Sequence, residues 1–157
     1  MRIVVLGAGV QGTLYGVRLA LRGHDVTFVV RGGRGAELRD QGAVIRDALT
    51  SRSDIVNLPV MERLTANTVA DICLVAVRRE QIDSALPDLV AAKGVARFLI
   101  MVNHANGSEA LYAALGRQRV ILGFPGAAGG IEMAWTVTSR LPSNLPRLRQ
   151  VRPTSPL

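Results

Sequence analysis

Directly after Met1 the chain reads Arg2-Ile3-Val4-Val5-Leu6-Gly7-Ala8-Gly9-Val10-Gln11-Gly12, in which an apolar run leads into the pattern G-x-G-x-x-G. The residues that follow repeat apolar side chains at helical spacing. A strand, a glycine turn and a helix in this order are typical of a dinucleotide-binding site. The first glycine makes the tight turn, the second lets the backbone approach a pyrophosphate, and the third lets helix and strand pack closely. The sequence therefore predicts a phosphate site at a helix N-terminus, formed by Gly7, Ala8, Gly9, Val10, Gln11 and Gly12.

Composition indicates one domain with a substantial core. The chain has 157 residues, of which 48% are hydrophobic, and no apolar run approaches the ~18 residues of a membrane span. A strand at Arg2–Leu6 leaves no room for a signal peptide, so we expect a cytoplasmic protein without a membrane partner. The single cysteine, Cys73, lies in an apolar run and is predicted to be a buried core thiol in a reducing compartment. No Cys/His cluster suggests a metal site.

The positive charge is concentrated at the end of the chain. Residues 136–157 carry four arginines and no acid, which accounts for +4 of the net charge of +7. The other 135 residues hold fifteen basic and twelve acidic side chains, an ordinary balance. Aromatic residues make up only 4% of the chain, so stacking platforms for nucleic-acid bases are scarce. Four of the seven prolines also lie in this segment, which we predict to be a disordered or loosely packed tail.

Apolar runs alternate with helical patterns up to about residue 124. We expect strands at Arg2–Leu6, Val26–Val30, Asp71–Val77, Arg97–Val102 and Val120–Phe124, helices at 10–21, 36–41, 81–92 and 108–115, and one or two short strands within 43–60. This alternation predicts an α/β fold with a doubly wound, mostly parallel sheet, as in Rossmann domains. The predicted organisation is a single dinucleotide-binding domain over residues 1–135, followed by an irregular tail over 136–157.

Ligands of such sheets bind at the carboxyl ends of the strands. That edge holds residues 7–12, Arg31, Arg78, Asn103 with His104, and the glycines of 126–130. Lys93 and His24 each precede a strand and are expected at the opposite edge. Because Lys93 is the only lysine, no lysine of this chain is expected to act as a catalytic acid.

Arg31 predicts which dinucleotide is bound. It ends the second strand, nineteen residues after Gly12, where an NAD-binding protein would place an acid on the ribose 2′-hydroxyl. A guanidinium there would instead bind a 2′-phosphate through charged hydrogen bonds, and Arg34 is close enough to help. Asp25 lies before the strand, at the wrong edge. These positions favour NADP, with a solvated surface arginine as the alternative.

Three other polar residues at this edge each allow two interpretations. Arg78 would contact a phosphate, a ribose or an acidic substrate, or else would face solvent at the start of a helix. The amide of Asn103 would orient a ribose or a carbonyl, or else serve as a turn residue or helix cap. His104 would be an acid or base, but no partner carboxylate is recognisable nearby in the sequence, which favours a loop or capping role.

In four stretches the chain resembles the ketopantoate reductases (2-dehydropantoate 2-reductases). They are residues 5–12, Arg22-Gly23-His24-Asp25-Val26-Thr27 with Arg31, Leu74-Val75-Ala76-Val77-Arg78-Arg79-Glu80-Gln81, and Asn103-His104-Ala105-Asn106-Gly107-Ser108-Glu109-Ala110-Leu111. The resemblance implies an NADPH-dependent reduction of a 2-oxo acid in pantothenate biosynthesis. It also implies that residues 7–12 and Arg31 hold NADP. Asn103, as a catalytic residue, would lie at the cofactor–substrate junction, and a loop near Gly129 would close over the nucleotide.

The chain departs from that family in three ways. Arg78 stands where the family usually has lysine, and His104 replaces the glycine of an Asn-Gly turn. The family is also about twice as long, and its second half is a helical domain with the catalytic lysine and a substrate-binding acid. We therefore expect an incomplete catalyst that needs a complementary domain, with an apolar face open to self-association or a partner chain. A dinucleotide-sensing regulatory module is the alternative, and a nucleic-acid binder ranks last.

Overall fold

Residues 1–102, 107–131 and 137–140 are described by a computed structural model. In chain order the strands of these residues are β1 (Arg2–Leu6), β2 (Asp25–Val29), β3 (Ala43–Asp47), β4 (Ser53–Val56), β5 (Val60–Met61), β6 (Val69–Val75), β7 (Gly94–Ile100), β8 (Val120–Leu122), β9 (Ala128–Ile131) and β10 (Val137–Arg140). The helices are α1 (Val10–Ala20), α2 (Gly33–Gln41), α3 (Ile82–Ala91) and α4 (Glu109–Leu115).

The larger sheet has the order β5-β2-β1-β6-β7-β8, and all of its strand pairs are parallel. The chain moves outward from β1 to β5 on one side and from β6 to β8 on the other. The strand order therefore reverses between β1 and β6, which is where a ligand crevice forms at the carboxyl ends of the strands. This arrangement confirms the predicted doubly wound α/β fold.

Both faces of the larger sheet are buried. On β1, Val4 packs into the apolar cluster that contains Leu89 of α3, whereas Val5 packs into the cluster that contains Leu14 of α1. Alternate side chains thus enter different layers, which explains why the strand is apolar at every position from Ile3 to Leu6. Cys73 is fully buried as predicted, and burial raises the pKa of its thiol to about 12.

A smaller sheet with the order β4-β3-β10-β9 packs against α1 on the side away from the larger sheet. The sequence predicts neither this sheet nor β9, and it places one or two strands in residues 43–60 where the structure has β3, β4 and β5. The expectation of an irregular tail from residue 136 is wrong for residues 137–140, because β10 pairs with β3 and β9. The rest of the predicted tail lies outside the described residues.

Several large apolar side chains are exposed at the β8 edge. Ile121 and Leu122 are nearly half exposed, and Phe124 is 80% exposed. Among the described residues, β8 pairs with β7 alone. In the described part of the chain, no helix is long and apolar enough to cross a membrane.

We predict that Gly16→Ala destabilises the fold. A Cβ at this position of α1 would lie 2.6 Å from Cζ of Phe28, and that ring is fully buried on β2. The overpacking is expected to cost about 1–3 kcal/mol of unfolding free energy in a urea titration.

The matched control for this prediction is Gly33→Ala. A Cβ on Gly33 in the first turn of α2 meets no atom within 4 Å, so its effect is expected to stay within about 0.5 kcal/mol. Restoration of stability by Phe28→Leu in the Gly16→Ala background would identify the ring contact as the cause, and equal stability of both alanine variants would contradict it.

Candidate functional site

A cavity of about 750 Å³ opens at the carboxyl ends of β1, β2 and β6. It lies at the point where the strand order reverses, as the topology requires. Its walls come from the glycine turn, the end of β2, the segment after β5, the β6–α3 turn and β9. They contain Leu6, Gly7, Ala8, Gly9, Val10, Gln11, Val29, Val30, Arg31, Arg34, Glu62, Ala76, Val77, Arg78, Gln81, Ser84, Ala85 and Ile131.

The glycine turn brings α1 against the end of β1. Gly7 has φ +96°, and a Cβ there would lie 2.9 Å from the carbonyl oxygen of Ala76. A Cβ on Gly12, which is buried behind the cavity wall, would overlap the carbonyl oxygen of Gly7. Both glycines are therefore required by the packing of the protein itself, independently of any ligand.

Gly9 differs from Gly7 and Gly12, the other two glycines of the motif. It is the N-cap of α1 with φ −75°, and a Cβ on it would meet no protein atom within 4 Å. The first turn of α1 contains no acidic residue, and no side chain caps it. The first N–H groups of α1 therefore face the cavity with the positive end of the helix dipole, which suits the phosphates of a dinucleotide.

Arg34 stabilises the glycine turn from the side of α2. Its Nε donates to the carbonyl oxygen of Ala8 at 3.2 Å, and its Nη2 donates to Oγ1 of Thr13 at 3.4 Å. Nη1 forms an ion pair with Glu37 at 3.1 Å, and the side chain is only 11% exposed. Arg34 thus lines the cavity, as the sequence suggests, but its guanidinium is bound to the loop that holds the phosphate site.

Arg31 belongs to a charged cluster that the sequence does not reveal. Its side chain is 65% exposed, and its Nη2 lies 3.6 Å from Oδ2 of Asp88 in α3. The other carboxylate oxygen of Asp88 accepts a hydrogen bond from Nη2 of Arg63 at 2.7 Å. Asp88 is buried, so one buried carboxylate is shared by two guanidinium groups.

Arg78 stands at the mouth of the cavity, directly before the short 3₁₀ turn Arg79–Gln81. Its backbone N–H donates to Oε1 of Gln81 at 3.0 Å, which fixes the turn. Its side chain is 82% exposed, and its Nη1 lies 4.0 Å from Glu80. Arg78 therefore both borders the cavity and faces solvent.

Other predicted site residues are placed less directly. Asn103 and His104 lie outside the described residues. Gly129 lies in β9, a strand of the smaller sheet rather than a loop, and among the described residues of β9 the one that lines the cavity is Ile131. The expected contact of Gly129 with the nucleotide stays a prediction.

The structure also adds wall residues that the sequence did not single out. They are Glu62 after β5 and, at the start of α3, Gln81, Ser84 and Ala85. Glu62 could not be found from the sequence, because β5, the strand directly before it, has only two residues and shows no periodicity.

Fold and site together define a dinucleotide-binding domain of the Rossmann class. Residues 3–140 match the family model described as ketopantoate reductase PanE/ApbA. The chain therefore belongs to the ketopantoate reductase family.

One relative and two solved structures of similar fold illustrate the match. The chain is 26% identical, over 126 residues, to the uncharacterized oxidoreductase YkpB of Bacillus subtilis (strain 168). The matched segment covers 78% of this chain and 40% of that protein. The 2-dehydropantoate 2-reductase of Methylococcus capsulatus superposes with TM-score 0.73 and 23% identity over 89% of this chain and 46% of that one. A D-mandelate dehydrogenase solved with NADH and anilino(oxo)acetate superposes with TM-score 0.75 and 18% identity over 88% of this chain and 45% of that one. The chain thus spans less than half the length of these relatives.

We predict stability effects of different size for alanine at two glycines of the same motif. Gly12→Ala forces α1 away from the Gly7 carbonyl and is expected to cost about 3 kcal/mol of unfolding free energy. Gly9→Ala places its methyl group in open space and is expected to cost no more than about 1 kcal/mol.

Urea unfolding followed by circular dichroism measures both variants. Equal destabilisation would show that Gly9 is also required by the packing of the protein, against the geometry described above.

Proposed function

We propose that this chain binds NADPH at the carboxyl edge of its larger sheet, as the nucleotide-binding part of a 2-oxo acid reductase. The observation that carries the proposal is the uncapped N-terminus of α1, which opens into a cavity bordered by Arg31. The pyrophosphate would lie against the N–H groups after Gly9, where the backbone can be approached closely. The 2′-phosphate would lie at the end of β2.

The ion pair of Arg31 is compatible with this role. The pair is long and its arginine is exposed, so its contribution to stability is small, roughly 0–1 kcal/mol. A phosphate dianion offers a stronger charge-assisted contact than this carboxylate. When Arg31 turns toward the phosphate, Arg63 still pairs with Asp88 at 2.7 Å, so no buried carboxylate is left without a cation.

The substrate follows from family membership together with the resemblance of the motifs. We propose a 2-oxo acid such as ketopantoate, with Asn103 at the junction of cofactor and substrate. The proton donor would come from a helical domain, supplied by further sequence or by a second chain. The exposed apolar side chains of the β8 edge offer a surface for such a domain or for self-association, which sedimentation equilibrium would detect. A cytoplasmic location stays a prediction of the sequence.

We predict that Arg31→Ala reduces the affinity for NADPH about 10- to 100-fold and leaves the affinity for NADH nearly unchanged. Charged hydrogen bonds of this kind contribute about 1.5–3 kcal/mol, and NADH lacks the phosphate that would receive them. Isothermal titration calorimetry with both reduced cofactors gives the two dissociation constants.

Two variants serve as controls for the Arg31 measurement. Arg22→Ala removes an exposed guanidinium between α1 and β2, at the opposite edge of the sheet from the cavity, and is expected to keep the preference for NADPH. Gly9→Ala is expected to weaken the binding of NADPH and of NADH, because both molecules contain the pyrophosphate. Equal affinity of the unaltered chain for NADPH and NADH would show that Arg31 is a surface residue, and absence of binding would overturn the proposed function.

We predict that the 157-residue chain binds NADPH but reduces ketopantoate slowly or not at all. General acid catalysis contributes roughly 10²–10⁴-fold, and the only lysine, Lys93, precedes β7 at the opposite edge of the sheet. NADPH oxidation followed by absorbance, with and without an added helical domain of a relative, measures the difference. Turnover by the chain alone at the rate of a complete reductase would contradict the requirement for a second domain.

A further inference from the structure

Gln11 carries a buried hydrogen-bond acceptor that no described residue satisfies. Its Nε2 donates to the carbonyl oxygen of Ala127 at 3.0 Å. Its Oε1 is buried and has no hydrogen-bond partner among the residues that the structure describes, although Gln11 lines the cavity. Buried side-chain acceptors are seldom left unsatisfied in native proteins, so one beside a ligand site calls for a donor from the ligand.

The orientation of this amide is fixed by its neighbour. The carbonyl oxygen of Ala127 can only accept a hydrogen bond, so the NH₂ group of Gln11 must face it. Ala127 is itself buried, in the segment between β8 and β9. The contact therefore leaves Oε1 as the unused acceptor of a residue that lines the cavity, and a rotation of the amide by 180° would set two oxygens against each other.

The position of Ala127 shows which half of a dinucleotide meets Gln11. Ala127 lies in the connection that leaves β8, the outer strand of the β6–β8 half of the larger sheet, and leads to β9. The β6–β8 half of such a sheet faces one nucleoside, while the β1–β2 half, which carries Arg31, faces the adenosine ribose. Gln11 thus lies toward the nucleoside that is distant from the 2′-phosphate.

We infer that Oε1 of Gln11 accepts a hydrogen bond from the nicotinamide nucleoside and thereby positions its ring at the glycine turn. This inference rests on the proposed function, since it assigns one residue of the same site to one part of the cofactor. The available donors are the ribose hydroxyls and the NH₂ group of the carboxamide. Either donor would satisfy the acceptor and would hold the nucleoside at a fixed distance from α1.

The test compares four ligands on the unaltered chain and on Gln11→Met, which keeps the length of the side chain and removes both amide atoms. The ligands are NADP⁺, its 3-acetylpyridine analogue, 2′-phospho-ADP-ribose and 2′,5′-ADP. We expect the variant to bind NADP⁺ about tenfold more weakly and to bind 2′,5′-ADP, which lacks the distal nucleoside, as the unaltered chain does. Gln118→Met, an exposed glutamine outside the cavity, is the matched control and is expected to change neither affinity.

The remaining ligands identify the donor. An equal loss for 2′-phospho-ADP-ribose assigns the hydrogen bond to a ribose hydroxyl. If that ligand is unaffected and the unaltered chain binds the acetylpyridine analogue about tenfold more weakly than NADP⁺, the carboxamide is the donor. This second comparison needs no variant, so it holds even if Gln11→Met is unstable in urea.

The outcomes that overturn the inference are separate from those that overturn the proposed function. Unchanged affinity of Gln11→Met for NADP⁺, or an equal loss for NADP⁺ and 2′,5′-ADP, would refute the role of Gln11 while NADP⁺ binding stands. Failure of the unaltered chain to bind either ligand would refute the proposed function itself.

Discussion

The close approach of α1 to the end of β1 is the constraint on which the rest of the structure depends. It requires no side chain at Gly12, where a Cβ would overlap the Gly7 carbonyl. It sets the distance between the larger sheet and α1, and hence the position of the smaller sheet that packs on the other side of α1. It also leaves the first turn of α1 uncapped and directed into the cavity. One packing requirement therefore shapes both the layers and the phosphate site.

Much of the larger sheet could be predicted because its strands are long apolar runs separated by helical patterns. The smaller sheet could not, since its two antiparallel pairs, β3–β4 and β9–β10, are joined to each other by strands that lie far apart in the chain. β10 pairs in parallel with β3, more than ninety positions earlier in the chain, and β9 contributes two glycines and exposed positions. Such strands form because α1 offers an apolar surface on which they pack, and local sequence does not encode that surface.

The site shows the same division between local and tertiary information. The place of Arg31 follows from its spacing after Gly12, which a sequence displays. Its pairing with Asp88 depends on how α3 lies across the sheet, and α3 begins fifty-one residues later. Likewise, Arg34 was expected beside a ligand, and the structure shows it bound to Ala8 and Thr13. Residue type and edge position were predictable, whereas the partner of each charge was not.

The carboxyl edge of the larger sheet carries groups that suit a dinucleotide, whereas the single lysine of this sequence lies at the opposite edge. Dinucleotide phosphates need N–H groups and cations, and these converge at the carboxyl edge, around Gly9, Arg31 and Arg78. Reduction of a carbonyl also needs a proton donor near the same edge. Lys93 stands at the start of the seven-residue strand β7, and at a rise of about 3.3 Å per residue it is roughly 20 Å from that edge. A side chain cannot cross that distance, so any lysine that donates the proton must be held by another element above the cavity.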